Sequence, residues 1–428
     1  MPKHAPSRRL ALLGLACGLG VGAHAAEVAG RLLSATHFAV DPGARRPLLQ
    51  NTQLGFLRVR ESFDEGPRFE GSVRLVAEPR GLDATGKTFE ADFHEFYLNL
   101  RRGDWDVSLG RRIRSWGIAD GVNPTRFFGA KDHTLLLSNE TDKELPLTQL
   151  IVNWTPDGGA WTWGLVFLPT FVPDKFYVPP ESLPTGVAFN DTAQFRGEGW
   201  GGGGGLRLAY VGDGFDFALV GFAGFDPRPE YEVRVVKVLP ELVTLYRKQV
   251  GAGLEASTST GPWIFRLEGS FRHFVSEWDR DPYLLQRTEG VVGVERSLGD
   301  SWRINAQAIG HHSSTSIASG SFPLTAETAG LYAVVRLNER VYRSRRSAEA
   351  GATFRLAYDS ETNPFTAEVF GVTYFADLDW LGRGALGWKA RDGLKLSLGV
   401  DYYSGDDETL FGSLHDLSAA WFEAAFDF

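Results

Sequence analysis

The chain closes with the stretch Ser418-Ala-Ala-Trp-Phe-Glu-Ala-Ala-Phe-Asp-Phe428. Aromatic residues and alanines alternate along it, and this alternation predicts a β-strand, because successive side chains of a strand point to opposite faces. Its last residue, Phe428, is an aromatic ring, and such rings are enriched where a membrane meets water. The stretch is therefore typical of the closing strand of a transmembrane β-barrel.

A second pattern repeats along the chain and predicts the same fold. A short turn of Gly, Asp or Pro residues is followed at once by an aromatic residue and then by alternating apolar and polar residues. The aromatic residues at these turns are Phe69, Trp105, Trp161, Phe215, Trp263, Trp302 and Phe365. Rings at the start of one strand after another would form the aromatic girdle that a barrel places at a membrane interface.

The predicted strands have one apolar and one polar face. In the segment Ile264–Phe274, Phe265 and Leu267 share one face, whereas Arg266 and Glu268 share the other. A soluble β-sandwich could show the same alternation, but the turn aromatics and a targeting signal favour a membrane barrel.

The number of hairpins predicts about 18 strands, with 16 as the alternative, because the segment 327–347 could form either a further hairpin or one long loop. The loop is preferred, since it keeps every short turn on one side. The predicted fold class is all-β: a transmembrane antiparallel β-barrel with long extracellular loops and short periplasmic turns. Barrels of this size leave an aqueous channel.

Residues 1–25 have the layout of a secretory signal peptide. A basic start precedes a short apolar run at 10–21, and Ala23-His-Ala25 offers a small-residue cleavage site. The expected organisation is a signal peptide at 1–25 and one barrel domain at 26–428. The single cysteine, Cys17, lies within the signal, and lipid attachment at this cysteine is the alternative.

The charge balance argues against a nucleic-acid partner. The whole chain has a net charge of −9, and removing residues 1–25 takes away three basic residues and no acidic one, which leaves −12. Nucleic-acid-binding proteins instead carry basic patches. A mean hydropathy of −0.17 fits a barrel whose interior and loops are polar. No cofactor and no metal site are predicted.

The segment Gly110-Arg-Arg-Ile-Arg-Ser-Trp-Gly-Ile-Ala-Asp-Gly-Val-Asn-Pro-Thr125 resembles the strand-and-loop motif of a porin-like family of bacterial outer-membrane β-barrels of uncharacterised function. In that motif, the end of a strand runs into an asparagine-proline loop. The last third of the chain, from Arg343 to Phe428, is similar to the family as well. The resemblance implies an outer-membrane barrel of a Gram-negative cell but no particular substrate, since related barrels carry sugars, acids or polymers.

The third long connection, roughly Ser115 to Glu144, is the predicted constriction of the pore. A loop of this length is uncommon unless it has a function, and in trimeric porins the third extracellular loop folds inward. The candidate constriction residues are Asp120, Asn123, Arg126, Lys131 and Asp132. An ordinary surface loop is the alternative. The next connection, Pro173 to Gly202, contains several prolines and is a second candidate, for a lid.

Strand alternation also predicts which side chains line the pore. They are Arg58, Arg74, Arg112, Arg266, Glu268, Arg272, Arg303 and Arg355. Because arginines predominate, this set favours anionic solutes. Alternatively, neighbouring arginines and carboxylates pair across strands and only brace the wall.

Together these patterns predict an outer-membrane channel for passive diffusion of small polar solutes, among which the arginines would favour anionic ones. Its other expected partners are outer-membrane lipid and the barrel-assembly machinery, which would bind the strand that ends in Phe428. A lipid-modifying enzyme is one alternative, since His273 and His312 are predicted to face lipid, although no serine is visibly placed beside either. A non-conducting scaffold or adhesin barrel is the other. His311 and His312 are adjacent on a strand, so they cannot bind one metal together.

Overall fold

The computed structural model describes residues 26–41, 47–63, 66–80, 88–178, 187–195, 201–236, 239–275, 286–314, 329–343 and 345–428. The predicted signal peptide, 1–25, lies outside the described residues.

The strands, in chain order, are β1 (Glu27–Ala39), β2 (Leu48–Ser62), β3 (Arg68–Arg80), β4 (Phe89–Arg102), β5 (Trp105–Arg112), β6 (Ala130–Lys131), β7 (Glu144–Leu145), β8 (Leu147–Trp154), β9 (Trp161–Leu168), β10 (Ala188–Phe195), β11 (Gly203–Val211), β12 (Phe215–Phe225), β13 (Glu230–Val236), β14 (Leu239–Tyr246), β15 (Lys248–Thr260), β16 (Trp263–Phe274), β17 (Gln286–Leu298), β18 (Trp302–Ser314), β19 (Ala348–Asp359), β20 (Phe365–Tyr374), β21 (Asp379–Arg391), β22 (Leu394–Ser404) and β23 (Ala419–Asp427). Within the described residues, the helices are α1 (Ala329–Tyr342) and three 3₁₀ helices at Glu140–Lys143, Pro156–Gly158 and Gly412–Leu417.

Eighteen of these strands form one closed antiparallel sheet, so the predicted barrel and its count of 18 are confirmed. Only β6, β7, β10, β13 and β14 lie outside it. The barrel closes where β1 pairs with both β2 and β23.

The C-terminal residue takes part in this closure. The Phe428 N–H donates to the Gly30 carbonyl at 2.9 Å, and the Gly30 N–H donates to the Phe428 carbonyl at 2.7 Å. A Cβ atom at Gly30 would lie 2.2 Å from the Phe428 ring, so a larger residue there would displace the ring. The terminal strand therefore pairs as the sequence predicts, while its recognition by assembly machinery stays a prediction.

The outer wall of the barrel is apolar. Large apolar side chains on the outward faces of the strands are exposed, among them Leu57, Phe93, Leu206, Val292 and Leu398. The turn aromatics Trp105, Trp161, Phe215, Trp263, Trp302 and Phe365 are exposed as well. Their turns join consecutive barrel strands at one end of the barrel, the arrangement that the predicted girdle requires. Exposing such an apolar surface to water would cost free energy, whereas contact with lipid chains would not.

The opposite end carries the long connections, here named by number. L3 is 113–146, L4 is 169–202, L5 is 226–247, L7 is 315–347 and L9 is 405–418. L7 is a connection rather than a further hairpin, as preferred, and it contains the helix α1, which the sequence analysis did not anticipate. Among the described residues, no helix is long and apolar enough to cross a membrane.

L4, L5 and L7 together build a small cap with its own core. β10 and β13 both pair with β14, and α1 packs against β13. The core residues are Val178, Tyr231, Leu242, Val334 and Leu337. The Asn338 amide fixes α1 to β13, because it accepts from the Tyr231 N–H at 2.7 Å and donates to the Tyr231 carbonyl at 2.8 Å.

Candidate functional site

L3 is fastened to the inner wall by the carboxylate of Glu268 on β16. This carboxylate accepts hydrogen bonds from the Ile118 N–H (2.9 Å), the Ala119 N–H (2.9 Å), the Thr125 N–H (2.7 Å) and the Thr125 hydroxyl (2.8 Å). Glu268 is only 1% exposed. Hydrogen bonds to an ionised acceptor are stronger than neutral ones, so this one side chain fixes two separate turns of the loop.

Arg272, four residues after Glu268 and on the same face of β16, holds the next part of L3. Its guanidinium donates to the Pro124 carbonyl at 2.9 Å and to the Arg126 carbonyl at 3.0 Å. It also lies 4.7 Å from the centre of the Phe127 ring, an attractive cation–π arrangement. Glu268 and Arg272, predicted to line the pore, are thus covered by the loop.

Glycines on the wall make room for the loop. A Cβ atom at Gly251 would lie 2.3 Å from the Phe127 ring, and one at Gly205 would lie 2.6 Å from the Trp116 ring. Gly205 belongs to the glycine run 201–205. Residues 203–205 of this run form the start of β11 and permit this close approach.

L3 also reaches the opposite wall. Gln50 on β2 donates to the Thr134 carbonyl at 2.8 Å and accepts from the Leu136 N–H at 2.6 Å. The Ser138 hydroxyl donates to both carboxylate oxygens of Glu423 on β23 at 2.9 Å. Because β2 and β16 lie nine strands apart around the eighteen-stranded barrel, the loop crosses the barrel interior.

Of the five predicted constriction residues, Asp120 contacts the barrel wall through its side chain, in an ion pair with Arg355 at 3.1 Å. The amide of Asn123 donates to the Trp116 carbonyl within the loop. Arg126 pairs with Glu144 at 3.0 Å, also within L3. Asn123 and Arg126 therefore shape the loop itself.

Lys131 and Asp132 connect L3 to L4. The Lys131 N–H donates to the Asp174 carboxylate at 2.7 Å, and Asp132 pairs with Lys175 at 3.2 Å. Burial raises the pKa of Asp174 to about 6, against the Lys131 hydrogen bond that lowers it. This contact is therefore pH-sensitive.

The remaining predicted wall residues occupy different environments. Arg58 is half exposed and forms an ion pair with Glu70 at 3.2 Å. Arg74 is only 1% exposed and forms an ion pair with Asp92 at 3.5 Å. Arg266 pairs with Glu295 at 2.7 Å. Several of the arginines thus brace the wall through ion pairs, as the alternative interpretation anticipates.

Arg112 and Arg303 complete the predicted set. The Arg112 guanidinium lies 4.3 Å from the centre of the Tyr97 ring and donates to the Ser108 hydroxyl. Arg303 is exposed at the turn end of β18. Arg112 therefore lies near the root of L3, whereas Arg303 lies away from it.

A basic cavity of about 210 Å³ adjoins the root of L3. Arg114, Trp116, Arg207 and Glu255 are among its lining residues. Arg207 pairs with Glu255 at 2.8 Å, whereas Arg114 forms no ion pair with any described carboxylate. Burial, together with the positive charges of Arg112 and Arg207, lowers the pKa of Arg114. The cavity therefore holds an unpaired positive charge, and the sequence analysis did not single out Arg114 or Arg207.

An acidic cavity of about 480 Å³ lies on the other side of that root. Its charged lining residues are Arg31, Arg58, Glu95, Asp142, Glu144 and Asp427. Ile113 lines this cavity and the next residue, Arg114, lines the basic cavity, so L3 separates the two.

The two histidines considered for a lipid-modifying enzyme, His273 and His312, are both exposed on the outer wall. No hydrogen bond joins either of them to a described serine. His311 is buried and faces inward, opposite to His312. Among the described residues, no group of three or more metal-binding side chains is close enough to hold a metal ion.

Solved structures of similar shape identify the fold. The chain matches OpdK with vanillate from Pseudomonas aeruginosa at a TM-score of 0.56 and 9% identity, over 94% of this chain and 98% of that one. It matches OccK9 (OpdG) of the same species at a TM-score of 0.56 and 11% identity, over 94% of this chain and 97% of that one. A BenF-like porin from Pseudomonas fluorescens Pf-5 matches at a TM-score of 0.54 and 11% identity, over 94% of this chain and 97% of that one.

The chain has the fold of an outer-membrane porin. The predicted porin-like resemblance is confirmed at the level of the fold, and the outer membrane is the location that this fold and the apolar outer wall support. No protein-family model matches the sequence, and no curated protein does.

Proposed function

We propose that this protein is an outer-membrane channel through which small polar solutes diffuse passively. One observation carries the proposal: L3 crosses the interior of an eighteen-stranded barrel and is held on opposite walls by Glu268 and by Gln50. A barrel of this size leaves an aqueous interior, and a loop fixed across it narrows the passage without filling it. L3 is the proposed constriction.

The finer part of the proposal concerns charge. The unpaired Arg114, together with Arg112 and Arg207, places positive charge beside the root of L3. Positively charged side chains in a pore attract anions. We therefore assign to the basic cavity a preference for solutes with anionic groups. The solved structures of similar shape have low sequence identity to this chain, so they support its fold but do not indicate its solute.

Liposome swelling tests the proposal. Vesicles that contain the folded protein should swell in isotonic solutions of small sugars and small organic anions, with rates that fall as solute size rises. Vesicles without protein serve as the control. If vesicles with folded protein swell no faster than empty ones, the protein is not a channel, and a scaffold barrel becomes the better explanation.

A further inference from the structure

We infer that the acidic cavity binds the ammonium group of a small organic amine, at a site built by His94 and Glu95 on β4. The inference rests on the proposed function in one respect: the amine must enter the barrel to reach the site. Three observations, from the backbone, the unpaired side-chain atoms and the surrounding charges, support it.

The first observation is a break in strand alternation. His94 and Glu95 are neighbours in sequence, so a regular strand would point one inward and the other into lipid. Both are buried instead, at 6% and 9% exposure. The register between β3 and β4 shifts at Ser72, between Gly71 and Val73, which marks a β-bulge. The bulge turns both side chains inward, and bulges of this kind often re-aim side chains beside functional sites.

The second observation is that both side chains keep unused acceptor capacity. The Nδ1 atom of buried His94 has no hydrogen-bond partner. One oxygen of Glu95 accepts from the Ile113 N–H at 2.9 Å, and its other oxygen has no described partner. An ammonium group has three N–H donors and no acceptor, so it matches a carboxylate beside a neutral imidazole nitrogen.

The third observation concerns the surroundings. Four carboxylates and two arginines line the cavity. Three of the carboxylates are already paired, Asp142 and Asp427 with Arg31, and Glu144 with Arg126. Arg58 pairs with Glu70 at 3.2 Å, whereas Glu95 forms no ion pair with a described side chain.

An aromatic ring completes the site. Phe56 also lines the cavity, and its ring centre lies 5.3 Å from that of His94. An aromatic face attracts a cation. Carboxylate, imidazole and aromatic ring together suit an organic ammonium group better than an uncharged sugar.

Calorimetric titration of the folded protein in detergent tests this inference without requiring conduction. The probe is benzylammonium chloride, and benzyl alcohol is its uncharged counterpart. The wild-type protein should bind benzylammonium more tightly than benzyl alcohol. Glu95→Gln keeps an acceptor for the Ile113 N–H but removes the charge, and it should weaken benzylammonium binding roughly tenfold, the factor that about 1.4 kcal/mol produces.

The matched control is Glu368→Gln, which removes a carboxylate from the inner wall outside the cavity. It should leave benzylammonium binding unchanged. If Glu95→Gln does not fold, Phe56→Leu, which removes the ring, decides the question and should weaken binding of the cation. Equal binding of the two probes by the wild type, or unchanged binding in these variants, would overturn the site. Swelling of liposomes by the same preparation tests the channel separately.

Discussion

The two cavities beside the root of L3 lie in one barrel and carry opposite charge. Among the described side chains, neither Arg114, which faces the basic cavity, nor Glu95, which faces the acidic cavity, has an ion-pair partner. The backbone between them is that of L3, which begins at Ile113. L3 therefore keeps a basic and an acidic cavity apart inside one barrel, a separation that the net charge of the chain does not show.

The two cavities also owe their charge to different structural causes. The basic cavity takes Arg114 from L3 itself and Arg207 from β11. The acidic cavity takes Glu95 from a bulge in β4. Displacing L3 should therefore abolish the separation, whereas single charge changes should alter one cavity at a time.

The largest effect is expected from Glu268→Ala. It removes the acceptor of four hydrogen bonds from L3, and each buried donor left without a partner costs about 1–3 kcal/mol. L3 should leave β16, and single-channel conductance in a planar bilayer should rise, with frequent transitions between levels. Glu295→Ala on β17, which removes an inner-wall carboxylate that pairs with Arg266, serves as the control. Conductance equal to that of the wild type would show that L3 does not limit the flow.

A smaller displacement is expected from Gly251→Val. Its side chain would meet the Phe127 ring, since even a Cβ atom lies 2.3 Å away, and overpacking of this kind costs about 1–3 kcal/mol. Conductance should change and the thermal unfolding temperature should fall. Gly221→Val is the matched control, because a Cβ atom at Gly221 meets no atom within 4 Å. Equal behaviour of the two variants would contradict the packing of L3 on β15.

Charge changes in the two cavities should have opposite effects on selectivity. Arg114→Gln should lower the preference for chloride over potassium, measured as the reversal potential under a salt gradient, and Glu95→Gln should raise it. Arg303→Gln, at the exposed turn end of β18, should have a smaller effect, because salt screens exposed charges. Shifts of the same sign for Arg114→Gln and Glu95→Gln would refute the separation of charge.

The smallest effect is expected from pH at the contact between L3 and L4. Burial raises the pKa of Asp174 to about 6, above the ordinary carboxyl value near 4. The folded state thus favours the protonated acid, and this contribution to stability is present at low pH and is lost as pH rises through about 6. The Lys131 amide should be better protected from hydrogen exchange at pH 5 than at pH 7, relative to its intrinsic rate. Asp174→Asn should remove that difference; if the pH dependence persisted in Asp174→Asn, another group would be responsible.

The barrel could be predicted from the sequence because its signal is local. Alternation separates Phe265 and Leu267 from Arg266 and Glu268 along one strand, and the structure has the same faces. The turn aromatics mark one end of the barrel without any knowledge of strand pairing. The inward course of L3 was anticipated only by analogy with other barrels.

The details of the interior depend on long-range contacts and could not be predicted in this way. Glu268 is inward by alternation, but only the fold shows that L3 covers it. His94 and Glu95 contradict a regular alternation, and this irregularity was the one signal in the sequence that could have exposed the bulge. The helix α1 was not anticipated, although Val334, Leu337 and Val341 recur at helical spacing and pack into the core of the cap.

The measurement that tests the central claim most directly is single-channel recording of the folded wild-type protein in a planar bilayer under a salt gradient. A barrel narrowed by an anchored L3 predicts steady open steps, and an unpaired Arg114 predicts a reversal potential of the sign that indicates anion preference. Absence of any steps from protein shown to be folded would contradict the channel. Steps with cation preference would contradict the assigned role of the basic cavity and leave the channel in place.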